Sequence, residues 1–283
     1  FPIYYGSFSG IMDKFTVEVN DIEDYDYEIE KKNMSVIYNG GNKENDYAIM
    51  DNYPCQFLAS EKLDGDLYNL KFRKKKPNVE EWLAYLFQTI AALVVAQKYM
   101  GLCNNDLHSS NVMYKYTKDP FLYYKFKNKY YRIPTFNKII KIIDWGRCTF
   151  EWNNQKIRSV VFDSDNEAYG QYIFDKLSMI QKKTINENNS MDLSLLANDL
   201  LRRDEGENIP DGDNNLTQFL EECLIDKDGN VIDIEEDSFL TYKVLAKETY
   251  SGVPKNQITK KYFKQFEVKY NIIPKNSKIY NLD

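Results

Sequence analysis

Between residues 82 and 97 the apolar positions recur at helical spacing: Trp82, Leu83, Leu86, Phe87, Ile90, Leu93 and Val94, with Gln97 closing the series. Steps of three and four place these side chains on one stripe, so the spacing predicts a long helix with a buried face. Its apolar run of about 15 residues is interrupted by Gln88 and falls short of the roughly 20 needed to cross a bilayer, so a core helix is expected, with no membrane span. Strand patterns flank it. Cys55 to Glu61 reads as a strand, and Leu63-Asp64-Gly65-Asp66-Leu67 as a turn opening a short helix. Phe121 to Ile133 carries two β-prone runs around Lys127-Asn128-Lys129, which predicts an extended hairpin over about residues 115–143. Ile139 to Ile143 is a continuous apolar run, the pattern of a buried strand, and Met191 to Leu201 returns to helical spacing.

The composition, 43% hydrophobic and 15% aromatic over 283 residues, is that of a packed globule of one large core or two modest domains. A net charge of −6 offers no basic field for nucleic acid or an anionic membrane surface. Alternating aromatic and basic residues in 121–133 could stack single-stranded nucleic acid, but any half-exposed strand pair alternates in this way, so no nucleic-acid partner is expected. Cys55, Cys103, Cys148 and Cys223 form no C-x-x-C pair, which argues against a zinc site or a disulfide framework and for an intracellular setting. Cys103 reads as a small buried hydrophobe. Asp211, Asp213, Asn215 and Glu222 sit at calcium-loop positions, but Leu216 replaces the required Gly, so calcium is not expected; Asp228-Gly229 reads as a hairpin turn.

Two polar segments beside apolar anchors carry the chemistry: Asn104-Asn105-Asp106-Leu107-His108-Ser109-Ser110-Asn111 and Ile142-Ile143-Asp144-Trp145-Gly146. An acid, an amide five residues later and a second acid at the end of a strand are what phosphoryl transfer from ATP requires.

These segments resemble the protein-kinase-like superfamily, and more closely the Ser/Thr kinase-like proteins of nucleocytoplasmic large DNA viruses, whose catalytic loops tend to read D-L-H-x-x-N. The resemblance spans Phe1 to about residue 250 and is strongest over residues 56–147. It implies an α+β, protein-kinase-like fold, mainly the helical large lobe (63–283, with a family-specific C-terminal part) and an incomplete small lobe (1–62). Asp106 would accept the proton of the attacking hydroxyl, and Asn111 and Asp144 would hold magnesium on ATP. His108 stands where Ser/Thr kinases usually carry Lys and would face phosphate or brace the loop. Small-molecule kinases of the aminoglycoside phosphotransferase type share D-L-H here. Glu61, Lys62 and Leu63 would line the adenine site, with Ser60 near the gatekeeper position. Asp192 would accept hydrogen bonds from the catalytic-loop backbone.

The resemblance implies a protein substrate and residence in the host cytoplasm or virion. A small-molecule phosphotransferase and a pseudokinase acting as a binding module are the alternatives. The second gains from Asn104, in place of the usual His, and from the lack of a glycine-rich loop and strand lysine. Phe1 to Phe8 looks like the fourth small-lobe strand, so the sequence is expected to be a fragment, nearly inactive alone, with an inserted acidic loop from Glu18 to Lys32 and a Gly40-Gly41 stretch beyond. Asn105 replaces the Arg that pairs with an activation-segment phosphate, which implies an enzyme competent without one. Arg147 and Arg158 read as solvated charges.

Overall fold

The computed structural model describes residues 1–19, 34–37, 46–72, 76–164, 166–172, 187–202, 210, 212–232 and 239–283. Most of the acidic stretch, the Gly40-Gly41 region and Asp211 lie outside these residues. The architecture is mixed α and β with several small sheets. It divides into two compact units, residues 2–62 and residues 63–283 together with Phe1.

In the first unit β1 (Tyr4–Val19), β2 (Met34–Ile37) and β3 (Asp46–Ser60) form an antiparallel sheet in the order β1-β3-β2. The register runs from Tyr4 opposite Ser60 to Val19 opposite Asp46. The strand expected at Cys55–Glu61 is thus the end of a fifteen-residue element, and Glu18 belongs to β1 and to no loop. Phe8 and Phe57, opposite in register, stack at 5.0 Å, the cross-strand pairing that stabilises one face of a sheet.

The second unit opens with β4 (Gly65–Asp66) and α1 (Leu67–Lys71), whose N-cap Asp66 accepts the amide of Asn69 at 2.6 Å. Then comes the long helix α2 (Val79–Met100). Asn78 caps its start through the amide of Glu81, and Gly101 ends it with φ 53°, a left-handed turn that favours glycine. Among the described residues this is the one helix long and apolar enough to cross a membrane, and 72% of its most apolar window is buried inside the protein. Gln88, which interrupts the apolar run, is buried and accepts the amide of Ile140 at 3.0 Å.

That amide belongs to a layer of strands: β5 (Val112–Tyr116), β6 (Phe121–Phe126), β7 (Lys129–Pro134) and β8 (Lys138–Ile142). The order β4-β5-β8 makes one sheet, with Val112 opposite Ile142. Gly65 lies under Tyr114, where an added Cβ would clash with the phenol oxygen. The segment between β5 and β8 leaves their pairing intact and folds as its own hairpin, turning at Lys127 and Asn128.

Beyond it lie β9 (Thr149–Trp152), β10 (Gln155–Arg158), α3 (Met191–Leu201), α4 (Asn215–Glu222), α5 (Phe239–Glu248), α6 (Pro254–Gln257), β11 (Glu267–Val268) and β12 (Ile279–Asn281). Asp228-Gly229 makes a turn, with Asp226 Oδ1 accepting the amides of Asp228 and Asn230. β11 and β12 return to the β6–β7 hairpin, giving a sheet ordered β11-β7-β6-β12.

Phe87, fully buried on α2, joins helix to hairpin, with ring centroids of Tyr131, Tyr124 and Phe263 at 5.0, 5.4 and 5.4 Å. Truncation there removes a large apolar side chain from a site walled by rigid rings. Phe87→Ala is expected to lower unfolding free energy by about 3–5 kcal/mol, read from urea denaturation.

Candidate active site

The loop that follows α2 is held by its backbone. Cys103 and Thr149 exchange amide-to-carbonyl hydrogen bonds in both directions, at 2.9 and 3.0 Å. Asn105 then adopts φ 66°, a left-handed conformation that asparagine tolerates better than most residues. Asp192, in the first turn of α3 and fully buried, accepts the amides of Asn104 and Asn105 at 2.9 and 2.7 Å. This is the pairing expected of Asp192. Seven residues on, two helical turns along the same face, Asp199 accepts the amide of Ser109 at 2.6 Å. Lys71 donates to the Asp199 carbonyl at 2.9 Å, tying in α1. Two carboxylates on one helix face thus anchor both ends of the loop.

The side chains of the same loop reach the second segment. Asn104 Nδ2 donates to the carbonyl of Asp144 at 2.6 Å, while its Oδ1 accepts the amide of Asp106 at 3.1 Å. One neutral amide therefore links Asp106 to Asp144. Asn105 Nδ2 donates to the Arg147 carbonyl at 2.9 Å and to Thr149 Oγ1 at 3.2 Å, and its Oδ1 accepts the Tyr172 hydroxyl at 2.9 Å. Gln171 completes the connection by donating to the Asn105 carbonyl.

Asn111 sits where β5 begins and Asp144 just past the end of β8. Because Val112 and Ile142 are paired and the amide of Ile143 donates to the Asn111 carbonyl at 3.0 Å, the two residues are neighbours. Asn111 Nδ2 donates to the Asp106 carbonyl at 2.8 Å and lies 3.1 Å from His108 Nε2. His108 thereby braces the loop. Asp144 is exposed with φ 53°; its Oδ1 accepts the amide of Gly146, and a Cβ on Gly146 would crowd that oxygen at 3.2 Å.

Asp106 is half-buried. Its Oδ1 accepts the Tyr242 hydroxyl at 2.7 Å, and its Oδ2 lies 3.6 Å from Arg147 Nε, an ion pair beyond hydrogen-bond distance. Arg147 is not a solvated charge: it also pairs with Glu167 at 3.3 Å and stands over the Tyr242 ring at 5.3 Å. Arg158 is exposed and pairs with Asp163 at 2.6 Å.

Of the residues expected at the adenine edge, Glu61 is buried and braces the start of β1: its Oε2 accepts the amide of Ile3 at 3.1 Å, and its own amide donates to the Ile3 carbonyl at 2.7 Å. Lys62 is exposed and Leu63 is half-buried. The two belong to different units.

Sequence reasoning missed Asp199 and Tyr242. The spacing of seven from Asp192 carried a signal for Asp199. Tyr242, 136 residues from Asp106, carried none. No family model matches the chain, and no curated protein matches it.

Burial lifts the Asp192 carboxyl from the usual 3.8 to about 6, against the two amide hydrogen bonds that pull it down; the Asp106 charge adds to the rise. Between these values the folded chain holds a proton that the unfolded chain has released. This group's contribution to stability is therefore full below the unfolded value and falls as pH rises through about 6. Asp192→Asn has no such proton and replaces one acceptor by a donor, leaving an amide of the loop unpartnered at a cost of about 1–3 kcal/mol. In urea unfolding the variant is expected to be the less stable at pH 4. Its deficit should shrink by about 1–3 kcal/mol on going to pH 6.5.

Proposed function

We propose that this chain belongs to an ATP-dependent phosphotransferase of protein-kinase-like fold, acting inside the cell on Ser/Thr hydroxyls of a protein. The observation that carries the reading is the linkage of Asp106, Asn111 and Asp144: one loop and one strand end, joined by Asn104, present two carboxylates and an amide oxygen within one hydrogen-bonded frame. Supporting it are the long buried helix that delivers the loop and the β5–β8 pair that brings Asn111 beside Asp144. Among the described residues the four cysteines form no disulfide, in keeping with a reducing compartment.

Asp106 takes the proton of the acceptor hydroxyl late in the reaction, as the hydroxyl oxygen bonds to the γ-phosphorus and the bond to the β-phosphate oxygen breaks to release ADP. Asn111 and Asp144 are the residues that would hold magnesium. Both offer oxygen, the donor this hard cation prefers, and Asp144 Oδ2 has no protein donor among the described residues. When bound, the ion neutralises charge on the phosphates. Asn104 argues for an active enzyme over a pseudokinase, because its amide performs the bracing for which a ring nitrogen is usual.

The test uses the full-length protein with radiolabelled Mg·ATP, offering dephosphorylated casein and, separately, kanamycin. Label on casein Ser/Thr is expected. Asp106→Asn should lower the rate roughly 10²–10⁴-fold, and Asp144→Asn should abolish transfer and weaken magnesium-dependent nucleotide binding with the fold intact. Unchanged turnover in Asp144→Asn would sink the assignment, and label on kanamycin alone would move it to the small-molecule phosphotransferases.

The neutral contacts of Asn105 with Arg147, Thr149 and Tyr172 order the following segment without a phosphate. Thr149 is buried, so a phosphate there would have to break that packing. Phosphatase treatment is expected to leave the rate unchanged, with Ser159, Ser164 and Tyr169 equally dispensable. A loss of more than about tenfold, roughly 1.4 kcal/mol of barrier, would show that a cation such as Arg147 reads a phosphate after all.

A further inference from the structure

Among the described residues, Asp106 is the one member of the proposed trio whose side chain is engaged by an element remote in sequence. Tyr242 projects from α5, a helix seated by its buried Thr241, Leu245 and Ala246. The far end of α5 is tied down by Asn188, whose Nδ2 donates to the carbonyls of Ala246 and Thr249 at 3.2 and 2.8 Å. Asn188 lies just before α3, the helix whose Asp192 holds the backbone on either side of Asn104 and Asn105. Backbone and side chain of the proposed base are therefore located from the same foundation. Asp192 places the backbone, and Tyr242, through α5, reaches the carboxylate.

The chemistry of the contact is specific. The Tyr242 phenol is held up by its burial and by its hydrogen bond to Asp106, so it remains a donor throughout the neutral range. Its ring is flanked by Phe239 at 5.8 Å and by the Arg147 guanidinium, which limits its rotation. A carboxylate turns readily about its last bond. Without a donor on Oδ1, Asp106 could swing to offer both oxygens to Arg147 as a bidentate pair, which would consume the lone pairs a base needs. With Tyr242 on Oδ1 at 2.7 Å, Oδ2 keeps only the 3.6 Å ion pair and accepts no hydrogen bond among the described residues. Glu167 shares the guanidinium at 3.3 Å and restrains it further.

We infer that Tyr242 is a positioning residue for the proposed transfer, fixing Oδ1 of Asp106 so that Oδ2 is left to receive the proton of the acceptor hydroxyl. This rests on the reading of Asp106 as the base. The experiment compares full-length Tyr242→Phe with wild type in steady state, using Mg·ATP and casein, with a fluorescent ATP analogue for affinity and a thermal melt for folding. Removing the hydroxyl alone is expected to lower kcat about tenfold, while KM for both substrates, nucleotide affinity and melting temperature stay within about twofold or a degree of wild type. A kcat equal to wild type overturns the inference and leaves the phosphotransferase reading standing. A higher kcat also overturns it, because the phenol would then occupy the place of the acceptor hydroxyl instead of preparing it. No transfer to casein by the wild type overturns the reading of a protein-directed enzyme and the inference with it.

Discussion

A buried carboxylate receiving two backbone amides is the contact on which the site depends. Asp192 is removed from water at a cost that would be prohibitive for an unpartnered charge, and the amides of Asn104 and Asn105 offset part of it. The same bonds hold Asn105 in a left-handed conformation costing on the order of 1 kcal/mol. With the backbone held there, the side chains of Asn104 and Asn105 have one direction left to them, toward the segment containing Asp144. Asp199 repeats the arrangement at Ser109, so α3 templates the loop along two of its turns.

Beside the Asp106–Arg147 ion pair, neutral hydrogen bonds join the loop to the second segment. An asparagine amide carries donors and an acceptor on one rigid plane, so Asn104 can take the amide of Asp106 and give to the carbonyl of Asp144 at once. Asn105 does the same between Tyr172 and the Arg147–Thr149 stretch. Neutral bonds are short-ranged and little screened by salt, and they need no second charge to arrive before they form.

The long segment between Asn111 and Asp144 leaves the two as neighbours for a topological reason. β5 and β8 pair directly, so whatever lies between them enters and leaves at adjacent strand ends. The β6–β7 hairpin collects β11 and β12 at its edges and buries its inner aromatic residues against Phe87 of α2. Added length thus enlarges the core without shifting Asn111 relative to Asp144.

Periodicity in the sequence was enough for α2, for α3 and for the β6–β7 hairpin, because each buries one regular face and the pattern of that face is local. The proximity of Asp106 and Asn111, which share one loop, was legible for the same reason, whereas Asp144 is brought beside Asn111 by the β5–β8 pairing. The extra length of β1 and β3 was not, since the pairing that defines those strands links residues up to 56 positions apart, Tyr4 with Ser60. Arg147 looked like an ordinary surface charge until folding set it between Asp106, Glu167 and the ring of Tyr242. Gln88 looked like a break in an apolar stripe and is a buried acceptor for the edge of β8. Tyr242 lies on another helix, and a hydrogen bond between side chains so far apart leaves no periodic trace. Local spacing determined which groups are candidates for the proposed chemistry; only the packing of α3 and α5 around the loop decided which of their lone pairs are already engaged.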